Sequence, residues 1–302
     1  PAGQRQRGVC GTTHDKGGGG IHLSGDRGRR LVLNTVHDPG AVSVTSPIIR
    51  IRGLCNSFGD QIVHQDLDLD VIEGEVLGVV GGSGTGKSVL LRSIIGLNAP
   101  AAGRIEVFGQ DMTSLQGPAR RSVERRWGVL FQDGALFSAL TVAQNIEAPL
   151  KEHLSLSRSL MDEIAALKIT MVGLEPEVGS KFPSELSGGM RKRAGLARAL
   201  AMDPEIVFLD EPTAGLDPIG AAAFDELIGS LQSQMGLTVF MVTHDLDSLT
   251  AICDRIAVLA EKRVLAIGTM ADMLQQDHPW IQEYFHGPRA RAAGIHAGTI
   301  GI

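Results

Sequence analysis

The 302-residue sequence predicts an α/β fold whose buried parallel sheet carries a glycine-rich turn and is interrupted by a helical insertion. Three observations predict it. Short apolar runs, VLGVV at 76–80, IVFLD at 206–210 and TVFMV at 238–242, have the length and composition of strands covered on both faces. The glycine-rich GGSGTGKS at 81–88 joins the first run to SVLLRSIIGL at 88–97, whose apolar residues recur at helical spacing. From about Ala139 to Leu186 the pattern turns helical, through TVAQNIEAPL and SRSLMDEIAALKITMVGL.

Along the chain, residues 1–46 carry GGGG at 17–20 and few large apolar residues, and are expected to form a disordered tail. IIRIRGL at 48–54 and LDLDV at 67–71 alternate like strands of an N-terminal antiparallel region, with a turn at Glu73-Gly74. RIEVFG at 104–109 reads as a further strand, and WGVLFQ at 127–132 as one ending at Gln132. The helical subdomain is expected at about 134–190. RKRAGLARALA at 191–201 reads as a helix opening directly after Gly188-Gly189, and AAAFDELIGSLQSQ as a helix between two core strands. No internal repeat is visible, which predicts one domain over 47–286 and a C-terminal tail over 287–302.

Composition excludes several classes of function. A net charge of −6 supplies no general basic field for nucleic acid. The local cluster Arg120, Arg121, Arg125 and Arg126 reads as a solvated helix face. Cys10, Cys55 and Cys253 are odd in number and lack metal-ligand spacing, as expected in a reducing compartment. No apolar run approaches the roughly 20 residues of a membrane helix, so membrane contact is expected only through a partner.

The motifs carry the chemistry. Gly81, Gly86, Lys87 and Ser88 fit G-x-x-x-x-G-K-[ST] between a predicted strand and a predicted helix, the context that identifies a P-loop. Gly81, Gly82, Ser83, Gly84, Thr85 and Gly86 let backbone N–H groups converge on phosphate oxygens at a helix N-terminus. Lys87 would neutralise the β- and γ-phosphates of ATP, and the Ser88 hydroxyl would bind Mg²⁺. IVFLDE delivers Asp210 to a strand end as a second Mg²⁺ group. Glu211 follows as the residue that orients or deprotonates water. Ser187, Gly188 and Gly189 of LSGGM open a helix and can face an anion.

Taken together, GGSGTGKS, Gln132, LSGGM at 186–190, IVFLDE at 206–211 and His244 resemble, in order and spacing, the ATP-binding cassette (ABC) ATPases, from about Ile48 to about Tyr284. That resemblance implies the ABC variant of the P-loop NTPase fold, with a RecA-like core. It also implies a homodimer in which each LSGGM turn contacts the γ-phosphate held by the other subunit. By the same resemblance Gln132 would reach Mg²⁺ or the attacking water, and His244 the γ-phosphate. Asp217 would meet the opposing subunit, and Phe58, 29 residues before Lys87, would stack on adenine. Met190 stands where the family most often has Gln, a change expected to tune function because the preceding residues make the phosphate contacts.

The stretch LFQDGALFSALTVAQNI at 130–146, with SELSGGMRKRAGLARALA, looks like the ATPase subunits of Mla-type phospholipid transporters. Those pair with a transmembrane permease and an Mce-domain lipid-binding protein, at the cytoplasmic face of the inner membrane. ATPases of other ABC importers or exporters remain the alternative. Non-transport ABC proteins usually carry tandem cassettes or long coiled-coil insertions, and this sequence has neither.

Overall fold

In the computed structural model, residues 46–287 are described. The tails expected at 1–46 and 287–302 therefore lie, apart from Ser46 and Gly287, outside the described residues. Two sheets carry the chain. Strands β1 (Pro47–Phe58) and β2 (Gln61–Ile72) pair as an antiparallel hairpin. With β4 (Ala102–Val107) and β5 (Gln110–Asp111) they form a four-stranded sheet ordered β2-β1-β4-β5.

The second sheet is six-stranded, ordered β10-β9-β3-β8-β7-β6. It comprises β3 (Val76–Val80), β6 (Trp127–Leu130), β7 (Ile206–Asp210), β8 (Thr238–Val242), β9 (Arg255–Ala260) and β10 (Arg263–Gly268). All its pairings are parallel except β10 with β9. Every residue of β3, β7 and β8 is buried, which is why these strands read as unbroken apolar runs.

Period-two alternation splits each core strand between two apolar layers. Val207, Leu209, Val239 and Met241 face a layer built with Ile146, Ile169 and Leu196 of the helical elements. Phe208, Phe240, Val242 and Leu77 face a layer shared with Ile49 and Ile51 of the antiparallel sheet. Helix α1 (Lys87–Ile94) enters this second layer through Leu91 and Ile94.

The helical insertion consists of α3 (Val142–His153), α4 (Arg158–Met171) and two 3-10 turns at Pro176–Ser180 and Pro183–Glu185. Thr141 and Gln144 form a capping box at the start of α3, and Ser157 caps α4. Helices α5 (Gly188–Ala199), α6 (Pro218–Met235) and α7 (Leu246–Ile252) pack around the parallel sheet. The described chain closes with α8 (Met270–Leu274) and α9 (Pro279–His286).

Three expectations need adjustment. Strand β6 ends at Leu130, so Gln132 lies in the turn beyond it. Helix α5 begins at Gly188 with Ser187 as its cap, so the two glycines form its first turn and do not precede it. The arginine cluster is more than a solvated face. Arg126 makes a two-pronged ion pair with Glu205 at 2.6 and 2.7 Å and lies 3.6 Å over the Phe108 ring. Arg120 pairs with Glu124, within α2 (Gly117–Glu124).

Gly128 of β6 sits against the backbone carbonyl of Ala199 at the end of α5, leaving no room for a Cβ. Gly128→Ala is therefore expected to cost about 1–3 kcal/mol by overpacking, measured by urea unfolding. An unchanged midpoint would mean that the strand and helix separate freely.

Candidate nucleotide site

Parallel registry brings three strand ends to one edge. Val79 of β3 lies opposite Val242 of β8, and Val242 opposite Asp210 of β7. The segments that leave this edge are Gly81–Ser88, Glu211 and Thr243-His244. They meet around a cavity of about 790 Å³ lined by Gly81, Gly82, Ser83, Lys87, Glu211 and His244.

Within the loop, Gly86 has φ +98° and carries the backbone into α1 at a point where a Cβ would strike His64. The Lys87 ammonium folds back on the loop, donating to the carbonyls of Gly81 at 2.8 Å and Gly82 at 3.1 Å. Burial pushes its pKa down, while the carboxylates of Glu211 and Asp210 pull it back up. Ser88 Oγ donates to Asp210 Oδ1 at 3.0 Å, which places a hydroxyl and a carboxylate side by side.

Glu211 is the strained residue of the edge. Its φ is +52°, in the left-handed region uncommon for a side chain other than Gly, Asn or Asp. Its N–H donates to Val242 O at 2.8 Å, and its carboxylate Oε2 lies 2.7 Å from His244 Nδ1. Thus β8 holds the backbone of Glu211 while the next loop holds its side chain.

Gln132 is exposed in the turn after β6, and its backbone carbonyl connects to the edge through Lys192. Ser187 accepts from Met190 N at 3.2 Å and so caps α5. Ser187, Gly188, Gly189 and Phe58 do not line the cavity. Phe58, at the end of β1, is 53% exposed.

Sequence reasoning missed three groups. Trp280 and Tyr284 of α9 line the cavity and stack on each other at 4.8 Å. Tyr284 Oη also donates to His244 O at 3.0 Å. No motif marks them, since only the folding of α8 and α9 brings them across. Lys192 lay unremarked within a basic helical run. His64 lay within the alternating pattern of β2. It is fully buried under the P-loop, with Nδ1 2.9 Å from Asn56 Nδ2.

Beside this edge, the loop after Gln132 is tightly tied. Arg198 donates to the carbonyls of Gly134 and Ala135, and buried Asn145 brackets Phe137 through its N–H and carbonyl. Leu136 packs inward, whereas the Phe137 ring stays 56% exposed. It borders a groove of about 280 Å³ with Trp127, Pro149, His153, Arg198 and Met202.

Comparison with known proteins gives one family match: residues 64–214 fit the model described as ABC transporter. The chain is 39% identical to the probable ribonucleotide transport ATP-binding protein mkl of Mycobacterium leprae, over 82% of this chain and 71% of that protein. It is 36% identical to the intermembrane phospholipid transport system ATP-binding protein MlaF of Haemophilus influenzae, over 80% and 90%. It is 38% identical to the methionine import ATP-binding protein MetN of Brucella abortus, over 78% and 63%. Among solved structures, the ATP-binding cassette MJ0796, a dimer bound to ADP and Pi, superposes with a TM-score of 0.67 at 29% identity. That match covers 73% of this chain and 98% of the other.

Burial pushes the His64 pKa down from 6.5 to about 4, opposed in part by backbone groups of Gly86 and Thr85. A depressed pKa means that the unfolded chain binds more protons between these values. Stability from neutral His64 is intact above 6.5 and lost as pH falls toward 4, by about 3 kcal/mol. The stability difference between wild type and His64→Gln, from urea unfolding, is expected to shrink across that window. A difference independent of pH would refute the assigned burial.

Proposed function

This chain belongs to the ABC transporter family of ATP-binding subunits and is an ATPase coupled to transport, and from that premise we propose that it drives phospholipid movement between membranes. The observation that carries the ATPase part is the cavity edge, where Lys87, Glu211 and His244 converge on the P-loop. The catalytic unit proposed is 47–286, with the helical insertion at about 134–190.

In the proposed mechanism, Lys87 exchanges the carbonyls of Gly81 and Gly82 for β- and γ-phosphate oxygens of ATP. The N–H groups of the loop and the start of α1 complete the cradle. Glu211 orients the attacking water and accepts its proton, and His244, 2.7 Å away, holds that carboxylate and reaches the γ-phosphate. Ser88 and Asp210 offer the hard oxygen donors that Mg²⁺ prefers. Mg²⁺ held there would offset phosphate charge, and Gln132 would complete its surroundings on closure.

Ser187, Gly188 and Gly189 stand away from the chain's own P-loop cavity, which favours a head-to-tail homodimer in which they serve the partner's ATP. Similarity to the dimeric cassette MJ0796 bound to ADP and Pi supports a dimer. Phe58 would stack on adenine. ATP binding closes this dimer and hydrolysis reopens it.

The lipid part rests on the loop Gly134–Ser138 and on similarity to MlaF across 90% of that relative. Exposed Phe137 and its groove, lined by apolar side chains together with Glu124, Arg125, Glu152 and Arg198, provide a docking place for a permease helix, with an Mce-domain protein as the further partner. Membrane contact at the cytoplasmic face of the inner membrane follows through that permease. Among the described residues, no helix is long and apolar enough to cross a membrane.

Glu211→Gln is expected to retain ATP binding, slow hydrolysis by about 100-fold or more, and trap a closed dimer visible by size-exclusion chromatography. Near-normal turnover would remove Glu211 from its role. Purification from native membranes in mild detergent, with mass spectrometry, tests the cargo. A multi-pass permease, an Mce-domain protein and bound phospholipid are expected. Recovery of a periplasmic solute-binding protein would instead place the chain with small-solute importers such as MetN.

A further inference from the structure

Helix α5 carries, one turn beyond the LSGGM glycines, a lysine with its ammonium turned into the protein. Lys192 is 5% exposed, and its Nζ donates to Gln132 O at 2.9 Å and to Glu211 O at 3.0 Å. One cation therefore joins the turn after β6, the residue after β7 and the helix that opens at Gly188. We propose that Lys192 is a positioning residue for ATP hydrolysis: it sets the backbone of Glu211, and with it the catalytic carboxylate, relative to Gln132 and the LSGGM helix. This rests on the roles proposed above for Glu211 and Gln132.

The backbone of Glu211 shows why such a tether is needed. A glutamate at φ +52° persists only when its surroundings over-determine it. Glu211 N–H is held by Val242 O, and Glu211 O by Lys192. These two bonds fix the peptides on either side of the strained torsion, and the side chain then reaches His244. Without Lys192, two carbonyls lose a charge-assisted donor and one restraint on that torsion disappears.

The chemistry of the lysine agrees with holding backbone. Burial pushes its pKa down, and the nearby carboxylates of Asp133 and Glu211 pull it up. Its partners are carbonyl oxygens, which cannot take its proton, so it acts as a fixed donor and not as an acid. It does not line the cavity and touches no reacting atom. Its location also links sites. The N-terminus of α5 faces the partner's phosphate in the proposed dimer, so Lys192 ties each subunit's Glu211 to the helix that serves the opposite nucleotide.

The test compares full-length Lys192→Met, Lys192→Gln, Glu211→Gln and the double variant Lys192→Met/Glu211→Gln. Turnover, MgATP affinity and thermal midpoint are measured for each. Methionine matches the length and removes the donors; glutamine restores two N–H groups without the charge. Lys192→Met is expected to lower kcat about tenfold or more, with the Kd for MgATP within about twofold. Lys192→Gln is expected to recover most of that loss, which a role in packing alone would not produce. In the Glu211→Gln background, Lys192→Met is expected to change residual hydrolysis by less than about threefold, because no catalytic carboxylate remains to be placed. Normal kcat in Lys192→Met, no rescue by glutamine, or the full loss repeated in the Glu211→Gln background would each overturn the proposal. Normal turnover in Glu211→Gln alone would instead overturn the mechanism on which it stands.

Discussion

The in-register parallel pairing of β3, β8 and β7 is the constraint on which the rest of the molecule depends. With Val79 opposite Val242 and Val242 opposite Asp210, three strands end at one level, and three segments of unrelated sequence leave the sheet together. Because successive side chains alternate between faces, a slip of one residue would exchange the two apolar layers of every strand. The distinct side-chain shapes packed into each layer thus hold the register, and the register places the P-loop, Glu211 and His244. Polar chemistry at the edge is precise because the sheet beneath it is almost wholly apolar, with Thr238 and Asp210 at its margins.

At that edge, charge is kept on backbone carbonyls until a ligand can take it. Lys87 rests on Gly81 and Gly82, so its ammonium stays hydrogen-bonded within reach of an incoming phosphate. The positive φ of Glu211 belongs to the same economy: strain in one torsion is borne by bonds to β8 and α5.

Helix α5 is the beam between the nucleotide edge and the outer groove. Toward the edge, Lys192 holds Gln132 and Glu211; toward the groove, Arg198 holds Gly134 and Ala135 beside Phe137. Arg191 and Arg193 secure the same helix to the carbonyls of Leu186 and Val172 at the edge of the insertion. A force on the groove and a change at the nucleotide edge therefore act on one rigid element. Both ends of α5 are thus tied by side-chain donors to the backbone of neighbouring loops.

Much of this was legible in the sequence. Unbroken apolar runs marked β3, β7 and β8 because burial on both faces demands them, and the glycine spacing of 81–88 marked the turn because close phosphate approach demands small residues. Ser187 was legible as a helix start, although the structure moves the start to Gly188. The meeting of Glu211 and His244 at one cavity was foreshadowed by order and spacing, whereas Gln132 does not line that cavity. Lys192, His64, Trp280 and Tyr284 were not legible, since each acts through contacts between segments far apart in the chain. A lysine in RKRAGLARALA reads as a solvated charge until α5 is laid against the turn after β6. By itself the sequence determined β1–β4 and β6–β8, the P-loop and the acidic strand end, because local periodicity and glycine geometry act within a few residues; β5, β9 and β10 went unread. Only the tertiary structure decided which buried cation holds Glu211 and which aromatics face the P-loop. Those contacts depend on how separate elements pack, and no local pattern encodes that distance.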